Sequence, residues 1–230
     1  MGTKQSLNQQ AYERIRLEII TFGLKPGDRI TESQLAERFD LGIAAVRAAL
    51  PRLVQEGLLL NRRRLGHQVA PITVKDIKNV FQLRRMLEPA SAELAAGRAD
   101  VTLLRALDAE SGVHVAPGDR EAEVAALFAN RAFHLAIAEA SGNTQLTGWI
   151  GQLHDLSIRI QYLLKHEERL EEEWRHSHEA IIEALERGDG AAARRHVDAH
   201  LEQGERLVMR ALLDLPEIQQ LSIAALPSGD

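Results

Sequence analysis

From Val74 to about Leu212 the chain repeats apolar residues at helical spacing, and little interrupts that pattern except residues that stop helices. The stops are Gly97, Pro117-Gly118, Ser141-Gly142-Asn143 and Gly188-Asp189-Gly190, where a missing Cβ or a missing backbone N–H ends regular structure. The intervals predict six helices over 74–98, 101–111, 119–140, 143–165, 167–187 and 190–213. Amphipathic helices of this kind bury their apolar stripes only against one another, so an antiparallel helical bundle is expected for 73–230. Aromatic residues at 4% of the chain agree with helices rather than a sheet core. No window holds the roughly 18 to 20 apolar residues that a spanning helix needs, and the N-terminus has no apolar signal core. A cytoplasmic chain with no membrane partner is therefore expected.

The first 72 residues follow a different plan. Tyr12, Ile15, Ile19 and Ile20 keep helical spacing up to Phe22-Gly23-Leu24-Lys25-Pro26-Gly27. Thr31 and Gln34 have the spacing of a capping box, which starts a short helix over 32–39. After the tight connection Asp40-Leu41-Gly42, a third helix over 43–56 buries Val46, Leu50, Leu53 and Val54 and ends at Gly57. Short strands at 58–60 and 67–70 then flank the basic loop Asn61-Arg62-Arg63-Arg64-Leu65-Gly66. Three helices followed by a basic hairpin make a winged helix-turn-helix, whose last helix enters the major groove of DNA. The formal charge of -5 hides this division. Residues 1–72 hold 11 basic and 7 acidic side chains, a formal +4, and residues 73–230 hold 17 and 26, a formal -9. The predicted domains are thus 1–72, which meets a polyanion, and 73–230, which has another task. Arg47, Arg52, the loop residues Arg62, Arg63 and Arg64, and Gly66 and His67 of the wing are the expected DNA contacts.

With no cysteine in the chain, a metal site must use histidine, carboxylate or amide groups. Three of nine histidines sit on apolar stripes: His134 with Leu127 and Ile137, His178 with Ile181 and Leu185, and His200 with Val197 and Leu201. Asn130 shares the face of His134, four residues earlier. The turn at 188–190 makes the last two helices a hairpin, and residue 189 is the midpoint between 178 and 200. Each imidazole then lies about 16 Å from the turn, and the two come side by side. If Asn130 and His134 face them, three imidazoles and one amide oxygen converge on a site for a divalent transition metal, zinc first, with nickel, iron or manganese as alternatives. The alternative for each residue is a hydrogen-bonded core histidine. His114, His154, His166, His176 and His196 lack the pattern and are expected at the surface or behind the ligands.

The chain resembles GntR-type transcriptional regulators of the subfamily with an all-helical FCD effector domain. In the N-terminal part the likeness rests on Leu24-Lys25-Pro26-Gly27-Asp28-Arg29-Ile30, Glu32, Leu35-Ala36, Val46-Arg47-Ala48-Ala49-Leu50, Glu56-Gly57-Leu58 and Gly66-His67-Gln68-Val69. In the C-terminal part it rests on Leu83-Arg84 with Leu87-Glu88, Asn130-Arg131-Ala132-Phe133-His134, Ala140-Ser141-Gly142-Asn143, His178-Glu179-Ala180-Ile181-Ile182 and His200-Leu201. The resemblance implies a homodimer on a pseudo-palindromic double-stranded operator that responds to a small carboxylate metabolite held near a metal. The family's metal ligands fall on Asn130, His134, His178 and His200, and its effector-carboxylate contact falls on Arg84. A helix salt bridge from Arg84 to Glu88 at the surface is the alternative for that residue. Two departures stand out. The first metal ligand is usually Asp rather than Asn, and Gly42-Ile43 stands where the family places Ser-Arg. Pro51, within the DNA-reading helix, removes a backbone donor.

Two other functions compete with the regulator. A metal-dependent hydrolase or lyase would need an inward base, and neither Glu139 nor Glu179 is turned inward by the periodicity. An effector-binding protein with altered or lost DNA recognition fits Gly42-Ile43 and Pro51.

Overall fold

Local capping chemistry starts most helices of the computed structural model, which describes residues 6–62, 66–116, 119–164 and 178–214. Ser6 caps α1 (Leu7–Ile20), its side chain accepting from the Gln9 amide at 3.2 Å. A complete capping box opens α2 (Glu32–Phe39): Thr31 Oγ1 accepts from the Gln34 amide, and Gln34 Oε1 accepts from the Thr31 amide at 2.9 Å. Helix α3 (Ile43–Gln55) follows a left-handed Asp40 and has Gly42 at its start with no side-chain cap. Pro51 lies inside α3 on its exposed face, where water can solvate the carbonyl that the proline leaves unbonded.

Strands β1 (Arg29–Ile30), β2 (Leu59–Arg62) and β3 (Gly66–Val69) form one antiparallel sheet in the order β1-β3-β2. The hairpin pairs Leu59 with Val69 and Arg62 with Gly66. Strand β1, unforeseen because two residues carry no measurable alternation, pairs Arg29 with Gln68 and Ile30 with His67. Gly66 is required by this third strand. Its φ is +79°, and a Cβ there would stand 2.8 Å from the Ile30 carbonyl oxygen. Ile15, Ile19, Leu35, Leu50, Leu53 and Leu58 form the core of this unit, while Val54 is only half-buried.

The chain divides into two compact units between Ile77 and Lys78, a few residues inside α4 (Val74–Ala95). The second unit continues with α5 (Val101–Ser111), α6 (Arg120–Ala140), α7 (Thr144–Leu164), α8 (Glu179–Glu186) and α9 (Gly190–Asp214). Asp100 and Asp119 cap α5 and α6 by accepting from Leu103 and Ala122 amides. Helix α6 packs on α5 and α7, and α9 packs on α8 and α7. Ala92, Leu104, Phe133, Ile137, Ile182 and Leu201 lie at the centre of the bundle. The helix expected over 74–98 ends at Ala95. Of the one expected over 167–187 the structure describes only Glu179–Glu186; residues 165–177, with His166 and His176, lie outside the described residues. Among the described residues no helix is long and apolar enough to cross a membrane.

Candidate metal centre and DNA interface

The α8–α9 hairpin brings His178 and His200 together with ring centroids 4.6 Å apart. His178 is not within α8 but stands just before its first residue, with no capping hydrogen bond from its side chain, while His200 lies in the middle of α9. Helix α6 carries His134 to the same place, 5.3 Å from the His178 ring and 5.4 Å from the His200 ring. One ligating atom from each of the three lies within 4.8 Å of the other two. Asn130 sits one turn before His134 on α6 and is half-buried.

Each ring has two nitrogens, and their environments differ. Nδ1 of His178 lies 2.7 Å from Asp108 Oδ1, and Nδ1 of His134 lies 2.8 Å from Glu88 Oε2, close but off line for a hydrogen bond. The Nε2 atoms of His134 and His178 are buried without a hydrogen-bond partner. A buried ring nitrogen left unpaired needs an explanation, and a metal ion is one that these donors fit. Burial pushes His134 down to about 3, and it also takes His200 well below the ordinary histidine range. Both rings are thus neutral near pH 7, with a lone pair for a cation.

Arg84 and Glu88, one turn apart on α4, form a second buried group beside the first. Arg84 Nε donates to Glu88 Oε1 at 2.5 Å and Nη1 donates to Ser157 Oγ at 3.3 Å. This is the helix pair anticipated for the surface, but both side chains are only 4% exposed. Arg84 Nη2 lies 3.2 Å from His154 Nε2; arginine only donates, so that nitrogen accepts. His154, on α7, is buried rather than at the surface, with its ring centroid 4.6 Å from that of His134, and burial pushes it down to about 4. Burial works to raise the Glu88 carboxyl, but Arg84 and then the neighbouring imidazoles hold it well below the carboxylate range. Glu88, His134 and His154 could also surround an ion, yet the Arg84 guanidinium already supplies the positive charge there. Neither Asp108 nor the depth of Glu88 shows in periodicity. The one signal for His154 is its place on a stripe with Ile150 and Ile158.

Of the expected DNA contacts, the described arginines are exposed. Arg47 on α3 is 67% exposed and donates to Glu32 at 2.7 Å. Arg52 pairs with Glu56 at 3.0 Å and lies over the Tyr12 ring at 3.5 Å. Arg62 donates to Gln68 at 2.8 Å, while Arg63 and Arg64 lie outside the described residues. His67 is half-buried in β3. Ile43, in the first turn of α3, is 46% exposed. Neither carboxylate considered as a catalytic base points inward, since Glu139 is exposed and Glu179 pairs with Arg105 at 2.6 Å.

The model of the FCD domain matches residues 79–203, and that of bacterial regulatory proteins of the gntR family matches residues 7–69. The chain belongs to the GntR family. The two matched segments flank the division at Ile77 and Lys78. The HTH-type transcriptional regulator LutR of Bacillus subtilis is 32% identical over 208 residues, 79% of this chain and 92% of LutR. An uncharacterized HTH-type transcriptional regulator of the same organism, YdhC, is 29% identical over 194 residues, covering 83% of this chain and 86% of YdhC. In three dimensions the chain is similar to Escherichia coli McbR/YncC, with a TM-score of 0.76 at 24% identity over 90% of this chain and 99% of that one. As a GntR regulator with an FCD domain, the protein is a DNA-binding transcriptional regulator and not an enzyme.

Proposed function

We propose that residues 1–72 read an operator and that residues 73–230 dimerise and hold both a divalent metal and a small carboxylate effector, the whole acting in the cytoplasm. Asn130, His134, His178 and His200 would hold the metal, zinc first, with nickel, iron or manganese as alternatives. What carries this reading is the pair of buried Nε2 atoms, on His134 and His178, left without partners beside His200. A metal held there would offer an anionic oxygen a strong positive charge. Arg84 would take the effector carboxylate, and because its guanidinium is engaged by Glu88, effector binding would exchange one carboxylate for another. Such an exchange at α4, which begins in the first unit, would bias the spacing of two DNA-reading helices in a homodimer.

On DNA, Arg47 would read a base edge, while Arg52, Arg62, Arg63, Arg64, Gly66 and His67 would follow the backbone. The exposed Ile43 stands where the family has an arginine, so it would offer an apolar contact and favour an operator unlike the family's common one. Metal analysis of the purified chain, followed by thermal-shift screening with di- and hydroxy-carboxylates, tests the proposal. A ligand at about 100 times its Kd stabilises by about 2.7 kcal/mol. Uptake of one metal per chain, lost in His134→Ala and His200→Ala, supports it. A wild-type chain that takes up no metal and is stabilised by no acid refutes it.

A further inference from the structure

Asp108 lies in the last turn of α5, seventy residues before His178 in sequence and outside the four proposed ligands. Its Oδ1 stands 2.7 Å from His178 Nδ1 and 3.4 Å from the His178 backbone N, so one carboxylate oxygen faces both the ring and the amide at the start of α8. An ionised carboxylate only accepts, so the shared proton sits on Nδ1. In the neutral ring, Nε2 is then a bare lone pair, and it is this atom that is buried without a partner.

Two further contacts keep the ring from turning. Phe133 stacks on it with centroids 4.0 Å apart and planes 21° from parallel. Arg105, one turn before Asp108 on α5, donates to Glu179 at 2.6 Å and to Glu186 at 3.2 Å, which ties α5 along the length of α8. With Nδ1 turned to α5, the opposite edge of the ring is the one available to His200 and His134.

We infer that Asp108 is a positioning residue for the metal centre: it fixes His178 in the Nδ1–H form and presents Nε2 to the point shared with His134 and His200. The inference rests on the metal reading above. It also says how the centre makes up for Asn130. The proposed ligands are all neutral, and Asp108 returns negative charge through the ring it orients, making Nε2 a stronger donor.

The test compares the wild-type chain with Asp108→Ala and Asp108→Asn, using long-range proton–nitrogen NMR of the imidazoles in the metal-free protein and zinc affinity by chelator competition. His178→Gln assigns the ring signals. The expected result is an Nδ1–H ring at His178 in the wild type, a shift toward Nε2–H in Asp108→Ala, and a zinc Kd raised about 10- to 100-fold. Asp108→Asn keeps an acceptor without the charge, so it should hold the tautomer and fall between the other two in affinity. An unchanged tautomer in Asp108→Ala overturns the inference, even if its melting temperature or zinc affinity falls, because that pattern marks a merely structural contact. If the wild type takes up no zinc, the metal reading fails by itself, and the tautomer comparison still decides what Asp108 does to His178.

Discussion

The two units each contain an arginine held by a glutamate, and the pairs differ in almost everything but their chemistry. Arg47–Glu32 closes at 2.7 Å with the arginine 67% exposed, whereas Arg84–Glu88 closes at 2.5 Å with both side chains 4% exposed. Water screens the first pair and can replace either partner, so Arg47 is free to exchange a carboxylate for a DNA phosphate or a guanine edge. No water replaces a partner in the second pair, and Ser157 and His154 each take a further N–H of Arg84. The lesson is that a geometry shared by two ion pairs says little about their role. Burial decides whether water alone can open a pair or whether only another charged group, taking over the same donors, can.

The sharpest way to break this comparison is to remove one member of each pair. Glu88→Ala should leave Arg84 charged, buried and unpaired, and should destabilise the chain by about 3 to 5 kcal/mol in denaturant titrations. A loss below about 1 kcal/mol would mean that water reaches Arg84 and that the contrast between the units is false. Replacing Arg84 and Glu88 together by Met and Leu should recover most of that stability while removing any response to carboxylates.

Acid should find the same boundary. Burial pushes His134 to about 3 and His154 to about 4 in the folded chain, against 6.5 when unfolded. Below about 6.5 the unfolded chain takes up protons that the folded one refuses. The stability is therefore complete above that pH and is lost as the pH falls toward 4. Both tryptophans, Trp149 and Trp174, lie in the C-terminal part, so their fluorescence during urea titrations at stepped pH follows the unit concerned. A midpoint that does not move between pH 7 and 5 would argue that these imidazoles are not buried.

Smaller effects belong to the exposed pair. Arg47→Ala should lower operator affinity about tenfold and relax specificity at the base pair it reads, with no change in melting temperature. Glu32→Gln should have the least effect, raising DNA affinity about two- to fivefold at low salt by freeing Arg47. A Glu32→Gln chain that binds DNA more weakly would show instead that the carboxylate aims Arg47 at its target.

Local signals in the sequence correspond to local features of the molecule. The Thr31 and Gln34 capping box lies at the start of α2, and the midpoint at residue 189 pairs His178 with His200 across the last hairpin. Both depend only on spacing along the chain and on the 1.5 Å rise of a helix. The short strand β1 left no such signal, and its presence explains why residue 66 must be glycine.

By itself, then, the sequence determined the family, most of the helices, the Thr31 capping box, the apolar stripes that carry His134 and His200, and the split of charge between the two parts. Only the tertiary structure decided that Arg84, Glu88 and His154 form a buried group beside them, and that Asp108 stands behind His178. Periodicity names the face of a helix on which a side chain lies but not which helix meets that face. The contacts of Arg84 with His154 and of Asp108 with His178 join residues 70 positions apart, so they exist only once the bundle has packed.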